Sequence, residues 1–430
     1  MTSIKNKKLF SNYQVFVIAI LAFLQFTVVL DFMVVSPLGA MLMDQLDISP
    51  SQFGLVVSAY AFSAGVSGLL AAGFADKFDR KKFLLFFYIG FMVGTILCAL
   101  APNYHFLLIA RIVTGTFGGV IASVSFSIIT DLFALNVRGR VMGFVQMAFA
   151  ASQVLGLPIG LVLANHFDWH APFWMIASVG IVVGVIIALF MKPITSHLQL
   201  ENKINPLKHL YDIVSNSWYL QTFLAATLLA TGGFMLMPFG SAFSIHNLGL
   251  TMEQLPILYG VTGVFTIIFG PIIGKLSDTV GKYKIFVFGT LLSSIIVAIY
   301  TRFGITPLWI VISISVIMFV GVSTRMISSS ALITAVPALK DRGAFMSVYS
   351  SVRQIAGGIA SAIAGMIVLQ QNDGPLQRYD ILGYVVIATM LISMFMMYFI
   401  NRNIIRHETS SENSAMDESS VPDKVVTETA

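Results

Sequence analysis

Two oppositely charged residues lie inside long apolar runs of this chain. Asp31 is the only carboxylate well within such a run, and Arg111 lies at a comparable depth in another. Charged side chains inside a membrane are costly, so each is expected to face a partner or a water-filled cavity. If the two pair, moving the arginine or admitting water would change whether the carboxyl holds a proton. The residue types predict a proton-coupling site, unless Asp31 is a hydrated carboxylate at the membrane boundary.

Five other polar residues inside apolar runs are candidates for a substrate cavity. They are Gln146, Gln153, Arg325, Arg353 and Gln354. The two arginines suit an anionic or polyhydroxylated molecule. They could equally neutralise helix ends at a gate, and the residue types leave both interpretations open.

A charged segment occurs twice, at residues 72–81 and 274–283, each time between two apolar runs. A carboxylate at a helix end can accept hydrogen bonds from the first N–H groups of a neighbouring helix. Asp76 has this role in our prediction, with the helix starting near Ala344, while Arg80 or Lys81 pairs with Asp131. The alternative is that these are ordinary solvated charges. The predicted gate comprises Asp76, Arg80, Lys81, Asp131, Arg138, Asp278, Lys282 and Arg342.

Small residues mark two places where helices approach closely or bend. Gly115 and Gly118 follow Arg111 at helical spacing, and small residues on one face let another helix come near. Farther along, Gly156, Pro158 and Gly160 fall within one apolar run. A proline flanked by glycines is expected to bend its helix and to permit close packing.

The elements that must position these residues are membrane helices. The chain is 57% hydrophobic and 10% charged, with a mean hydropathy of +0.86, which predicts an integral membrane protein. Its apolar runs indicate twelve membrane helices in an all-α fold. We predict a first six-helix bundle over residues 1–191, a cytoplasmic linker over 192–217, a second bundle over 218–402 and a disordered tail over 403–430.

Basic residues predict the orientation. If the N-terminus lies inside the cell, nearly all loop lysines and arginines fall on that side, and only Arg302 and Arg378 lie outside. Both termini are then cytoplasmic. The net charge of +5 expresses this bias and gives no reason to expect nucleic-acid binding.

The repeated loop resembles the signature of the major facilitator superfamily, Gly-x-x-x-Asp-Arg-x-Gly-Arg-Lys. Asp76, Arg80 and Lys81 match it in the first copy, and Asp278 in the second, where Lys282 stands for an arginine. Residues 108–119 are similar to the helix-four motif of that family, which contributes a buried arginine. Residues 152–160 resemble its antiporter motif, with departures at the first glycine and before the proline.

The chain is thus similar to the twelve-helix drug:proton antiporter group, and within it to arabinose or sugar efflux permease-like transporters. The resemblance implies two pseudo-symmetric six-helix bundles and a monomer in a bacterial-type inner membrane. It also implies alternating-access export of a drug, sugar or related metabolite in exchange for protons. The alternatives are proton-driven or facilitated uptake, and a non-transporting receptor or sensor, for which a large soluble output domain would be expected.

No sequence pattern points to an enzyme. A complete nucleotide-binding loop, Gly-x-Ser-x-Gly and His-Glu-x-x-His are all missing from the sequence, and the seven histidines are scattered. We therefore expect no catalytic residue, cofactor or metal site. The predicted partners are a small substrate, protons and the lipid bilayer.

Overall fold

The computed structural model describes residues 10–72, 77–195, 206–338, 341–370 and 374–419. These residues form helices joined by short connections, and they contain no β-strand beyond one isolated bridge. A π-helical segment, Ser152–Gly156, joins α6 to α7. Helices α1 to α16 are Asn12–Val34, Gly39–Leu46, Pro50–Ala72, Arg80–Ala99, Tyr104–Leu132, Leu135–Ala151, Leu157–His166, Ala171–Phe190, Pro206–Ser215, Ser217–Leu236, Gly240–His246, Leu255–Val280, Lys282–Tyr300, Leu308–Ile333, Arg342–Ile367 and Tyr379–Ser419.

Eleven helical segments of the described chain are long and apolar enough to cross a membrane. The twelfth predicted span corresponds to α15, which has 26 residues but is less apolar because it carries Arg342, Arg353 and Gln354. It packs against α3 and α10. An amphipathic helix of this kind places its polar side chains against other helices rather than lipid.

The linker and the tail contain more helix than the sequence predicts. Helix α9 lies within the linker, and α16 continues past residue 402 as far as Ser419. A helix already formed in the membrane adds residues without a new nucleation step, and the next proline is Pro422. Helix α16 thus extends into the segment that the sequence predicts to be disordered. Residues 196–205 and 420–430 lie outside the described part.

Asparagine caps set the starts of two spans. The side chain of Asn103 accepts from the N–H of Phe106 at the start of α5, and Asn216 does the same for Trp218 at the start of α10. Such caps satisfy N–H groups that have no partner within the helix. They fix where α5 begins, and thereby how deep Arg111 lies.

The two bundles meet along α3 and α15. Gly54 and Gly365 lie at this contact, since a Cβ built on Gly54 would lie 3.2 Å from the Cα of Gly365. Successive spans are antiparallel, so α1 begins and α16 ends on one side, the terminal side; the opposite side is the far side. On the far side Ser241 Oγ donates to Ser36 O at 2.9 Å, joining the bundles.

Candidate functional site

A buried ion pair lies inside the first bundle. Arg111 Nη1 on α5 lies 2.7 Å from Asp31 Oδ2 on α1, and Thr95 on α4 donates to Asp31 Oδ1 at 3.1 Å. Asp31 is fully buried and Arg111 is 1% exposed. The structure thus brings the two residues together, and a hydrated carboxylate at the membrane boundary does not fit this burial.

Aromatic rings cover the pair on the side of the second bundle. The guanidinium of Arg111 lies over the ring of Tyr60 at 4.6 Å. Phe32, next to Asp31, packs on Tyr60 and on Phe234 of the second bundle, with ring centroids 5.2 and 5.7 Å apart. Arg111 Nε is buried and makes no hydrogen bond to a described residue. A movement of one bundle against the other would therefore change the surroundings of the ion pair.

Glycines allow α5 to carry Arg111 this close to its neighbours. A Cβ on Gly115 would overlap Ser63 Oγ and Tyr60 O on α3, and a Cβ on Gly118 would lie 2.8 Å from Tyr60 Oη. On the other face, a Cβ on Gly94 of α4 would lie 2.6 Å from Thr114 Oγ1. The predicted small-residue face of α5 is therefore the face that packs on α3.

A π-helical segment occupies the predicted bend. The N–H of Leu157 donates to Ser152 O, five residues back, as in a π-helix. Pro158 follows in the first turn of α7, and Gly156 packs on α1, because a Cβ there would lie 2.5 Å from Leu30 Cδ1. Gly160 has more room, with Val34 Cγ2 at 3.4 Å from its added Cβ. π-Helical segments within α-helices are frequent at functional sites.

Two glutamines near this segment have unsatisfied oxygens. Gln153 Oε1 and Gln25 Oε1 are buried and have no hydrogen-bond partner among the described residues. Ser152 Oγ donates to Phe26 O at 3.1 Å, so residues 25–26 of α1 lie beside residues 152–153. The backbone of Gln153 also faces α12 of the second bundle, since a Cβ on Gly263 would lie 3.3 Å from Gln153 O. Sequence reasoning missed Gln25, although a lone glutamine in an apolar run was the available signal. The side chain of Gln146 lies outside the described part.

The arginines of the second bundle do not come together. Arg325 on α14 is 4% exposed, and its Nη2 lies 3.4 Å from Ser393 Oγ on α16. Arg353 on α15 lies over the ring of Tyr349 at 5.6 Å and is half-buried. Gln354 is half-buried beside it, with no hydrogen bond to a described residue. These residues therefore do not form one cluster.

The first copy of the charged loop ties three helix ends together. Arg80 Nε pairs with Asp131 Oδ2 at 3.0 Å, whereas Lys81 Nζ donates to Ala188 O at 2.9 Å, so the partner of Asp131 is Arg80. Asp79, which departs from the family pattern, accepts from the N–H groups of Lys81 and Ile194. Asp79 thus caps the start of α4 and binds the chain that follows α8, at the end of the first bundle.

Of the other predicted gate residues, one bonds to a helix end, two make no bond to a described residue, and two are not described. Arg138 caps the end of α5, donating to Thr130 O at 2.6 Å and Phe133 O at 2.8 Å. Asp278 is exposed and Lys282 half-buried, and neither bonds to another described residue. Asp76 and the side chain of Arg342 lie outside the described part. The loop network is therefore visible in the first copy only.

Among the described residues, no group of three or more metal-binding side chains is close enough to hold an ion. The one cysteine, Cys98, is buried and lies 3.7 Å from Thr114 Oγ1. What the site offers chemically is a carboxyl that can hold a proton and an arginine that can compensate its charge.

Comparison with known proteins agrees with this architecture. The family model of the Major Facilitator Superfamily matches residues 21–361 and 222–424. The chain is 29% identical over 269 residues to the uncharacterized MFS-type transporter YceJ of Bacillus subtilis, covering 62% of this chain and 68% of the relative. A probable sugar efflux transporter of Helicobacter pylori is 25% identical over the same shares of the two chains. Multidrug resistance protein 3 of Bacillus subtilis is 30% identical over 34% of this chain and 28% of its own length.

Solved structures show the same fold. A bacterial homologue of the human lysosomal transporter Spinster superposes with a TM-score of 0.73, at 16% identity, over 92% of this chain and 98% of that one. The nucleoside transporter NupG superposes with a TM-score of 0.69, at 14% identity, over 90% and 99% of the two chains. With its membrane helices, its two bundles and these matches, the chain is a membrane transporter of small solutes and not an enzyme, and it belongs to the Major Facilitator Superfamily.

Proposed function

We propose that this transporter exports a small amphipathic molecule in exchange for protons, with Asp31 carrying the proton and Arg111 controlling it. The observation that carries the proposal is the buried Asp31–Arg111 pair beneath Tyr60 and Phe32. A buried carboxylate that loses its cation is left with an uncompensated charge, and taking up a proton removes that cost. Arg111 can therefore release or recapture Asp31 as the bundles move.

The proposed substrate lies between the bundles, near Gln25 and Gln153. Their unpaired amide oxygens can accept hydrogen bonds, while Phe32 and Phe234 offer apolar surface. A molecule with an apolar body and hydroxyl or amine donors would satisfy both. The relatives named for sugar efflux and multidrug resistance support a cargo of this kind and the export direction.

We further propose that the terminal side faces the cytoplasm of a bacterial-type inner membrane. The support is the distribution of lysine and arginine over the loops. The Arg80–Asp131 pair, Lys81 and Arg138 would then form the fixed part of a cytoplasmic gate. Asp76, Asp278, Lys282 and Arg342 are proposed as its moving part, in a transporter that acts as a monomer.

Transport in proteoliposomes under an imposed pH gradient tests the coupling. A thermal-shift screen of the purified protein against drugs, sugars and nucleosides first identifies a transported molecule. We expect Asp31→Asn to lose gradient-driven accumulation but to retain exchange of labelled for unlabelled substrate, since exchange needs no net proton movement. The matched control is Asp47→Asn, an exposed carboxylate whose left-handed backbone (φ 49°) asparagine also adopts.

Two outcomes would count against the proposal. Unchanged gradient-driven accumulation in Asp31→Asn would remove this residue from proton coupling. Net movement of substrate out of everted vesicles corresponds to uptake by the cell. That result would show a proton-driven importer instead of an exporter.

A further inference from the structure

The second bundle contains a buried cation that has no anion beside it in the described part of the chain. Arg325 lies in the second half of α14, two turns before its end, and is 4% exposed. The acidic residues between 218 and 402 are few; they are Glu253, Asp278, Asp341, Asp373 and Asp380. Asp373 lies outside the described part, and the other four lie at or near helix ends. No described carboxylate forms an ion pair with Arg325. A buried guanidinium without a counter-charge costs several kcal/mol.

The contacts of Arg325 leave most of its hydrogen-bond capacity unused. Its Nη2 makes one long contact, 3.4 Å, to Ser393 Oγ, and its Nε is buried with no partner in the part of the chain that the structure describes. The ring of Phe286 lies 6.0 Å from the guanidinium carbon on one side. The Arg111 guanidinium of the first bundle, in contrast, binds a carboxylate at 2.7 Å. Both arginines are buried, and Arg325 therefore differs from Arg111 in lacking a described negative charge beside it.

The guanidinium faces the backbone of a glycine on α10, and a buried hydroxyl lies one turn farther along α14. A Cβ added to Gly232 on α10 would lie 3.8 Å from Arg325 Nη1, 3.7 Å from Thr389 Oγ1 and 3.6 Å from Met390 Cγ, which are ordinary contact distances. A methyl group on Gly232 would thus touch the guanidinium, and the glycine leaves that side of Nη1 uncovered. Ser328, one turn after Arg325 on α14, is fully buried, and no described residue bonds to its hydroxyl.

We propose that Arg325 is the centre of an anion-binding site enclosed by α10, α14 and α16. The site takes one small negative group, which is either a free halide-type ion or the carboxylate of the transported molecule. Arg325 supplies charge-assisted hydrogen bonds and Ser328 a hydroxyl donor. The second source rests on the proposed transport function, whereas the first does not depend on it.

Thermal unfolding of the full-length protein in detergent tests the site. The unfolding midpoint is measured at constant ionic strength, with sodium MES replaced stepwise by sodium chloride, and separately with benzoate against neutral benzamide. Binding to the folded state alone raises the midpoint, and we expect a saturable rise of about 2 °C or more. Arg325→Met, which removes the charge at similar length, should abolish the rise.

A pair of neighbouring glycines provides the matched control. Gly232→Ala fills the space beside Arg325 and should weaken the response, whereas Gly233→Ala, whose Cβ would meet no atom within 4 Å, should leave it unchanged. A rise with chloride alone assigns a free ion, and a rise with benzoate alone assigns an acidic substrate. The proposal is overturned if neither anion raises the midpoint, or if Arg325→Met responds like the wild type.

If Arg325→Met does not fold, the two glycine variants still test the site. Equal rises of the unfolding midpoint in Gly232→Ala and Gly233→Ala would overturn it. These measurements require no transport. A failure of the anion site is therefore distinguishable from a failure of proton coupling at Asp31.

Discussion

Of the residues around the Asp31 carboxylate, some can be recognised in the sequence and others cannot. Arg111 was recognisable because a cation in an apolar run is rare, whereas Thr95 and Tyr60 look like ordinary members of their helices. In the structure Thr95 donates to the carboxylate and Tyr60 covers the arginine. Hydrogen bonds to a buried charge are worth more than those at a surface, so these neutral residues contribute to the stability of the pair.

Thr95→Val should therefore lower the free energy of unfolding by about 1–3 kcal/mol, because it leaves one oxygen of a buried carboxylate without a donor. The two side chains have nearly the same shape, so packing changes little. Thr116→Val is the control, since that hydroxyl donates only within its own helix, to Ile112 O at 2.8 Å. Denaturation of both variants in the same detergent measures the difference, and an equal loss in the two would contradict it.

Close helix contacts, rather than single bonds, decide where the charged residues of the first bundle lie. Helix α5 touches α3 through Gly115 and Gly119, whose added Cβ atoms would overlap the α3 backbone. The π-helical segment between α6 and α7 turns Gly156 toward α1 and leaves Gln153 with an unpaired oxygen. Glycines and a proline in the sequence predicted close packing and a bend, but not this type of helix.

Gly115→Ala should destabilise the first bundle by about 1–3 kcal/mol, because the added methyl group forces α5 away from Tyr60 and Ser63. It should also lower transport, since Arg111 lies one turn away on the same helix. In Gly143→Ala the new methyl group meets no atom within 4 Å, and that variant should be neutral or stabilised by up to about 1 kcal/mol. Similar unfolding midpoints for the two variants would show that the contact is not tight.

The whole molecule is closed on its far side, where the two bundles touch. Phe53 packs on Phe239 with ring centroids 5.8 Å apart, Ser241 bonds to Ser36, and Asn165 Nδ2 donates to Met252 O at 2.9 Å. If the protein works by the alternating access that we propose, these contacts must break in each cycle. The far-side contacts are thus a place where movement of the bundles can be stopped.

A disulfide between Asn165→Cys and Met252→Cys, in a chain whose Cys98 is replaced by alanine, should abolish transport when oxidised, and reductant should restore it. The control pair, Asn247→Cys and Leu376→Cys, joins residues of one bundle on the same side, where Asn247 Nδ2 donates to Leu376 O at 3.0 Å. That pair should form a disulfide without loss of transport. Full transport by the oxidised cross-bundle variant would mean that the far side does not open.

The sequence by itself determined the membrane class, the two similar halves, the family and the identity of the intramembrane charges, because apolar runs and rare polar residues are local signals. Tertiary structure decided which residues meet. Arg80 rather than Lys81 pairs with Asp131, and Arg325 has no carboxylate beside it among the described residues. Thr95 and Tyr60 contact the Asp31–Arg111 pair, and Gln25 lies beside the π-helical segment. These outcomes depend on the rotation and depth of each helix, which are set by side-chain packing between segments far apart in the chain. No local pattern encodes that packing.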